Sequence, residues 1–425
     1  MSTRTMAIAV AAAVQAACTT DDPARSNLNG QRHEQVVETR GDTTVVRTLS
    51  GSVWGAEANL VAEFAIGELD GPDEYLFGSI GSFAVDDDRN VYVLDTQAQH
   101  VQVFDSVGTY VRTLGGRGEG PGELSFATSV ATLPDGRVVV SEAAALRIQV
   151  YGPGLHETQQ WRYTAAGVPT PPRPVEVDRH GRTFVGTVEI DPSGRIDLPL
   201  VAIGPDGTQQ GTHLPPGFDF EPPSLELQST LGTFTSKVLI PIPLTPSHHW
   251  ALHPNGHFVT GISSDYQIDL GLDTGVLRME RAFVPVAVSP EERSYHRDDV
   301  TRSMRVTQPD WRWNGPPIPS TRPPFRGLAA GRDGRIWVTV STEAQPVENE
   351  FHDPQNPNSD PILWRSPLRY DVFEPDGSYL GTVVPPEGFY GARRPVFDGE
   401  HVWAVAQDEL GVERVVRYRI VVGEG

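Results

Sequence analysis

Cysteine is almost absent: of 425 residues only Cys18 carries a thiol, so no internal disulfide can form. Basic charge is also scarce. Lys and Arg number 34 against 55 Asp and Glu, a formal net charge of −21. Nucleic-acid binding needs a basic surface that neutralises phosphates, so the balance argues against that class. It argues equally against electrostatic adhesion to anionic membrane. Long hydrophobic runs are missing too, because the apolar stretch Met6–Val14 is too short to span a bilayer. Neither a nucleophile elbow nor an HExxH pair occurs. What is abundant is turn chemistry: 42 Gly and 37 Pro suit an all-β fold full of tight turns.

The chain is organised around residues 79–115. Runs at Ser82–Val85, Val91–Leu94, Val101–Phe104 and Tyr110–Leu114 alternate apolar and polar residues between Asp/Gly/Asn turns such as DDDRN. Such alternation predicts half-buried antiparallel strands, and four in succession make one propeller blade. The pattern repeats. The second strand of each repeat is anchored by Tyr92, Val139, Phe184, Val259, Trp337 and Trp403, each preceded by a turn of the PDGR or HPNGH kind. Successive anchors lie 47, 45, 75, 78 and 66 residues apart. A blade with tight turns needs about 40–50 residues, so the last three intervals carry insertions.

Six anchors predict an all-β, six-bladed β-propeller of four-stranded antiparallel blades spanning residues 43–425. After Trp403 only Arg414–Val421 remains, so the sixth blade lacks its outer strand. Strands at Thr43–Thr48 and Leu60–Ile66 begin the domain, and the N-terminal strand near Leu60 is expected to complete the last blade. That closure would remove an exposed sheet edge. Residues 19–42 are polar and lack periodicity, and read as a flexible tether.

NVYVLDTQAQHVQVFDSVGTYVRTLG and RVVVSEAAALRIQVY resemble the NHL-repeat type of six-bladed propeller. The resemblance is strong over residues 60–151 and diluted over 175–420. Residues 1–18 place Arg4 before the apolar run and Ala16-Ala17 before Cys18, a layout that resembles a bacterial lipoprotein signal peptide. Cys18 would then be lipidated. Gln15 stands where an aliphatic residue is usual, which leaves ordinary secretory cleavage as the alternative. With Thr19 after the cysteine, the lipoprotein reading leans towards the outer membrane, otherwise periplasmic or secreted. Together with GRGEGPGEL, this leader makes the chain similar to the secreted propeller lipoproteins of bacteria. The wider superfamily ranges from binding modules to lyases and lactonases, so the resemblance implies a fold and an extracytoplasmic address without choosing an activity.

The insertions at 213–246, 286–324 and 344–367 all fall on one face of the propeller. The first two follow an outer strand and the third follows a second strand. Ser289-Pro-Glu-Glu292 is a capping box that predicts a helix. WRW at 311–313, Phe218, Phe220, Phe351 and Trp364 either pin these loops onto the propeller or line a groove for a partner. Loops on a rigid scaffold are where binding concentrates, which favours this face.

The starts of the six inner strands collect Ser82, Ser129, Pro174, His249, Gly327 and Arg393 into one ring at the channel mouth. Gly81, Thr128, Arg173, His248, Arg326 and Ala392 form the neighbouring ring. Arg173, Arg326, Arg393 and Arg394, with His248, His249, Ser82 and Ser129, are therefore the candidate ligand-binding residues. Arginine favours planar, bidentate partners such as carboxylate or phosphate. Either the cluster receives a small anionic molecule, or the arginines pair with acids on adjacent loops. His248, His249, His253 and His257 do not compose a zinc site. His249 and His253 are separated by about 13 Å of strand, and His253 with His257 offers only two ligands. Asp95 and Glu142 occupy matching positions in blades one and two and read as loop caps. GGRGEGPGEL precedes no helix and fails as a phosphate loop. The expected function is binding, of a small anion or a protein partner, at the insertion-bearing face, with no cofactor. Nucleic acid is not expected as a partner, and membrane contact comes only through the lipid. The alternative is a hydrolase, lactonase or lyase at the channel mouth, with calcium as a candidate ion.

Overall fold

The computed structural model describes residues 33–166, 168–169, 174–190, 196–217, 219–231, 234–350, 352–356, 359–391 and 393–423. Cys18 and the leader lie outside them, as do Arg173, Phe218, Phe351 and Ala392. The protein is an all-β, six-bladed β-propeller. Blade one is Ile80–Val85, Val91–Asp95, His100–Phe104 and Tyr110–Gly115, and blade two is Ser129–Thr132, Val138–Glu142, Arg147–Tyr151 and Thr158–Arg162. Blade three comprises Glu176–Val177, Thr183–Ile190, Leu200–Ile203 and Gln209–His213. Blade four comprises His248–Leu252, Phe258–Ile262, Gln267–Leu272 and Gly275–Arg281. Blade five is Phe325–Ala330, Ile336–Val340, Tyr370–Phe373 and Tyr379–Val384, and blade six is Val396–Asp398, His401–Gln407, Glu413–Val422 and Ala58–Ile66.

The six anchor residues are all buried, because each sits on a second strand covered on both faces by neighbouring blades. Trp337 of blade five stacks on Phe397 of blade six at 4.0 Å between ring centroids. Closure follows the expected route. Leu60 pairs with Ile420 and Ala65 with Val416, antiparallel, so the N-terminal strand supplies the outer edge of blade six. The same strand touches blade five in parallel at Ala58 and Asn59, which joins the two blades into one eight-stranded sheet.

The tether expected over residues 19–42 is corrected at its C-terminal end. Glu34–Arg40 is a strand paired with Thr43–Ser50, which itself lies parallel on the outer strand of blade four. The hairpin turns at Gly41, whose φ of 66° is open to glycine without strain. Val45 and Val46 are buried, Val46 among core residues of blades four and five, and this burial holds the hairpin there. The β-branched runs on either side of Gly41-Asp42, a turn pair, carry the signal for it.

The three insertions form a joined cap. The first is a hairpin, Ser224–Leu231 with Phe234–Pro241; the second contains the helix Pro290–Thr307; the third is a hairpin, Gln345–Glu348 with Ile362–Arg365. Ser289 accepts the Glu292 amide at 3.1 Å, the N-cap bond expected of the capping box. Leu225, Leu227, Ile242, Trp311 and Ile318 make a small core shared by the first two insertions. Trp311 donates from Nε1 to the Glu226 carbonyl at 2.8 Å. Arg302 on the helix pairs with Asp360 of the third insertion. Trp311 thus fastens loop to loop, a variant of the pinning role.

Candidate functional site

The inner strands carry most of the expected ring in register. Ser82, Ser129, His249 and Gly327 face Leu94, Ser141, Gly261 and Thr339 on their second strands, the same relative position in four blades. Blade six departs from it. A bridge joins Phe389 to Ala406, and the strand resumes only at Val396, so Arg393 and Arg394 lie on the segment between.

Ser82 and Ser129 are buried and structural. Ser82 Oγ accepts the Val130 amide at 3.3 Å, and Ser129 Oγ accepts the Val175 amide at 2.9 Å. Each thereby links its inner strand to the chain of the next blade. The two histidines at the mouth are neutral. Burial, reinforced by the neighbouring His248, lowers His249 to about 4, and burial lowers His248 as well. His249 is hydrogen-bonded to Ser247 Oγ at 2.9 Å and packs on the Phe325 ring. At neutral pH it carries no positive charge for an anion. His253 bonds the Gly334 carbonyl and His257 bonds Asp273, so the two do not converge on a metal. Among the described residues no group of three His, Cys, Asp or Glu is placed to hold a metal ion.

Asp95 and Glu142 cap loops as expected. Asp95 accepts the amides of Gly78, Gln97 and Ala98. Glu142 accepts the Ser125 amide at 2.6 Å and receives Arg147 on both oxygens. Within the glycine-rich loop, Glu123 folds back onto the Gly120 amide, so the loop closes on itself.

The arginines divide into two kinds. Arg394 of blade six meets Glu176 of blade three in a bidentate pair, 2.7 and 2.9 Å. Blades three and six are opposite in a ring of six, so this pair crosses the channel. Burial alone would lower the guanidinium's pKa; the Glu176 carboxylate outweighs it and raises the value. Arg394 therefore braces the channel. Beyond the brace, towards the face of short hairpin turns, lies a cavity of about 450 Å³ lined mainly by inner-strand residues such as Val85, Val130 and Leu252. Arg332 on its wall is held by Asp87 and the Val85 carbonyl.

Arg326 and Arg393 differ. Arg326, at the start of the inner strand of blade five, is open to solvent yet flanked by protein, and burial holds its pKa below the ordinary value. No described acid reaches it. Arg393 approaches Glu413 only at 3.5 Å, while Glu413 accepts the Ile80 amide at 2.9 Å. Its Nε is buried with no hydrogen-bond partner among the described residues. A recess of about 360 Å³ opens beside Arg393, lined by Gly81, Thr96, Gln99, Phe126, Ala127 and Thr128. Phe126 was not singled out by sequence reasoning. Its position, an aromatic between the GEGPGEL loop and an inner strand, carried the signal.

The profile of the DUF5128 family, described as a six-bladed β-propeller, matches residues 56–131. No curated protein shows significant sequence similarity to the chain. Among solved structures, one described as an exported protein from Bacteroides fragilis is 11% identical at a TM-score of 0.45, over 85% of this chain and 95% of that one. A DUF4221 family member from Bacteroides vulgatus is 11% identical at 0.44, over 87% and 99%. A gluconolactonase from Xanthomonas campestris is 13% identical at 0.39, over 85% and 98%.

Proposed function

We propose that this propeller is an extracytoplasmic binding module that takes a small anionic ligand at its insertion-bearing mouth. The observation that carries this reading is the contrast among arginines: on adjacent blades Arg326 has no described acid partner and Arg393 meets Glu413 only at 3.5 Å, whereas Arg394 and Arg332 are closely matched. A partly desolvated guanidinium without a close carboxylate gains most from an incoming anion. The leader supports the address. Arg4, the run Met6–Val14 and Ala16-Ala17-Cys18 supply a charged start, an apolar stretch and a cleavage site ending in a lipidated Cys18. The repeats in blades one and two support kinship with the NHL type of propeller.

The test is a calorimetric screen of simple carboxylates and phosphates against the wild-type protein and against Arg326→Ala and Arg393→Ala. Each variant is expected to lose at least ten-fold in affinity for the anion that binds. Equal binding by wild type and both variants overturns the reading. For the address, Cys18→Ser is expected to abolish acyl labelling and release the protein from the membrane fraction; unchanged fractionation rejects lipid anchoring.

A further inference from the structure

Phe126 is placed in a way that packing does not explain. Its side chain is 76% exposed although its backbone adopts φ 57°, a left-handed conformation uncommon for a residue with a Cβ. The strain is fixed by bonds on both sides. The Ser125 amide donates to Glu142 at 2.6 Å, and the Ala127 amide donates to Gln99 Oε1 at 2.7 Å. Gln99 is buried, itself has φ 59°, and donates from Nε2 to the Thr96 carbonyl. Two blades therefore cooperate to hold one aromatic ring out of the core.

The equivalent connection before blade one shows that the core does not need that ring. The register that equates Ser82 with Ser129 places Leu124 where Phe77 stands. Phe77 packs edge-on against Phe104, and Leu124 is fully buried among the residues of blades one and two. The interblade slot is thus filled before the chain reaches Phe126. Strained, over-determined backbone that presents a side chain to a cavity is a signature of a binding or catalytic position.

Phe126 shares its recess with Arg393, whose contact with Glu413 is long at 3.5 Å. A flat apolar face beside a guanidinium edge recognises a ligand with two matching parts: a ring that lies on the phenyl group and an anionic oxygen pair for the arginine. We infer that the anion taken at this mouth is a carboxylate borne on a ring, one face of which lies on Phe126 as the stacking platform, with Gln99 as the residue that positions that platform. This inference rests on the anion-binding reading above and narrows it. The ring is supplied either by an aryl acid or by a sugar acid; the shared chemistry is a planar carboxylate next to a ring face.

The experiment measures dissociation constants of the full-length protein for benzoate, galacturonate and acetate by calorimetry. At least one ring acid is expected to bind ten-fold or more tightly than acetate, and which one does so distinguishes the two sources. Phe126→Ala is expected to remove that advantage while leaving acetate within two-fold, and Phe126→Tyr to keep it. Arg393→Ala is expected to weaken every anion. If the three acids bind alike, or Phe126→Ala changes nothing while Arg393→Ala still weakens them, the platform is overturned and the anion site stands. If Arg393→Ala and Arg326→Ala also change nothing, both readings fall.

Discussion

The two ends of the channel are built from the same six inner strands and are finished in opposite ways. At the hairpin-turn end, cations serve the scaffold: Arg332 reaches from blade five to Asp87 of blade one, and Arg335 joins Glu374 to the Gly399 carbonyl. At the insertion end, Arg326 has no described acid partner, and Arg393, beside a recess, meets Glu413 only at 3.5 Å. Since Lys237 is the single lysine, almost every cation here is a guanidinium, and what differs between the ends is the partner alone. A charge matched by a fixed carboxylate stabilises the fold and is unavailable to a ligand. An unmatched one contributes little to folding and is available. Function in this propeller is therefore to be sought where the ion-pair lattice stops.

The largest effect is expected where that lattice supports the cap. Glu292, in the first turn of the cap helix, is buried and paired with buried Arg322, which lies four residues before Arg326. Glu292→Ala strands a buried guanidinium, and breaking such a pair costs about 3–5 kcal/mol. Denaturant melts should show this loss together with a weakened anion site at Arg326. A loss below about 1 kcal/mol would mean the cap does not depend on this pair.

A comparable effect of different origin is expected from pH. His249 is held near 4 in the folded protein, chiefly by burial, against about 6.5 unfolded. The folded state binds fewer protons, so this contribution is complete above about pH 6.5 and is lost as pH falls towards 4. The loss amounts to roughly 3 kcal/mol at most. His249→Phe, which keeps the contact with Phe325, should flatten stability between those values. An unchanged slope would place the proton sensitivity elsewhere.

Much of the architecture was legible because each signal was local. Tyr92, Val139, Phe184, Val259, Trp337 and Trp403 mark strands whose alternation and turns lie within ten residues, and blade closure followed from counting them. Ser289 announced the cap helix for the same reason. The site was legible only in part. Spacing placed Arg326 and Arg393 at the mouth, but it also placed Arg394 there, and no local pattern reveals that Glu176 waits across the channel. Nor does sequence show that Ser82 and Ser129 turn their hydroxyls onto neighbouring backbone, since those bonds join residues 48 and 46 positions apart. Phe126 escaped notice because its meaning depends on Leu124 already occupying the slot. Long-range partners, rather than residue types, separate brace from site.

That distinction can be tested by converting one kind into the other. Glu176→Ala removes the partner of Arg394, whose side chain keeps 32% of its surface accessible within the channel. Because water reaches it, the expected cost is below that of a fully buried pair, about 2 kcal/mol. The freed guanidinium should then act as Arg326 does, and the variant should gain affinity for simple carboxylates. Stability lost without any gain in binding would show that an unmatched arginine is not sufficient to make a site.

The smallest effect belongs to Arg326 itself. With no described acid partner and an exposed side chain, it contributes little to folding, so Arg326→Ala should change unfolding free energy by no more than about 0.5 kcal/mol. Removing a partly desolvated cation beside Arg322 relieves repulsion, which places the sign of any change on the stabilising side. Chemical denaturation of this variant alongside Glu292→Ala makes the comparison direct, since the two positions serve the same mouth. A destabilisation of 2 kcal/mol or more at Arg326, beyond the range for surface positions, would mean that it is a structural group and that the two ends of the channel do not differ in kind.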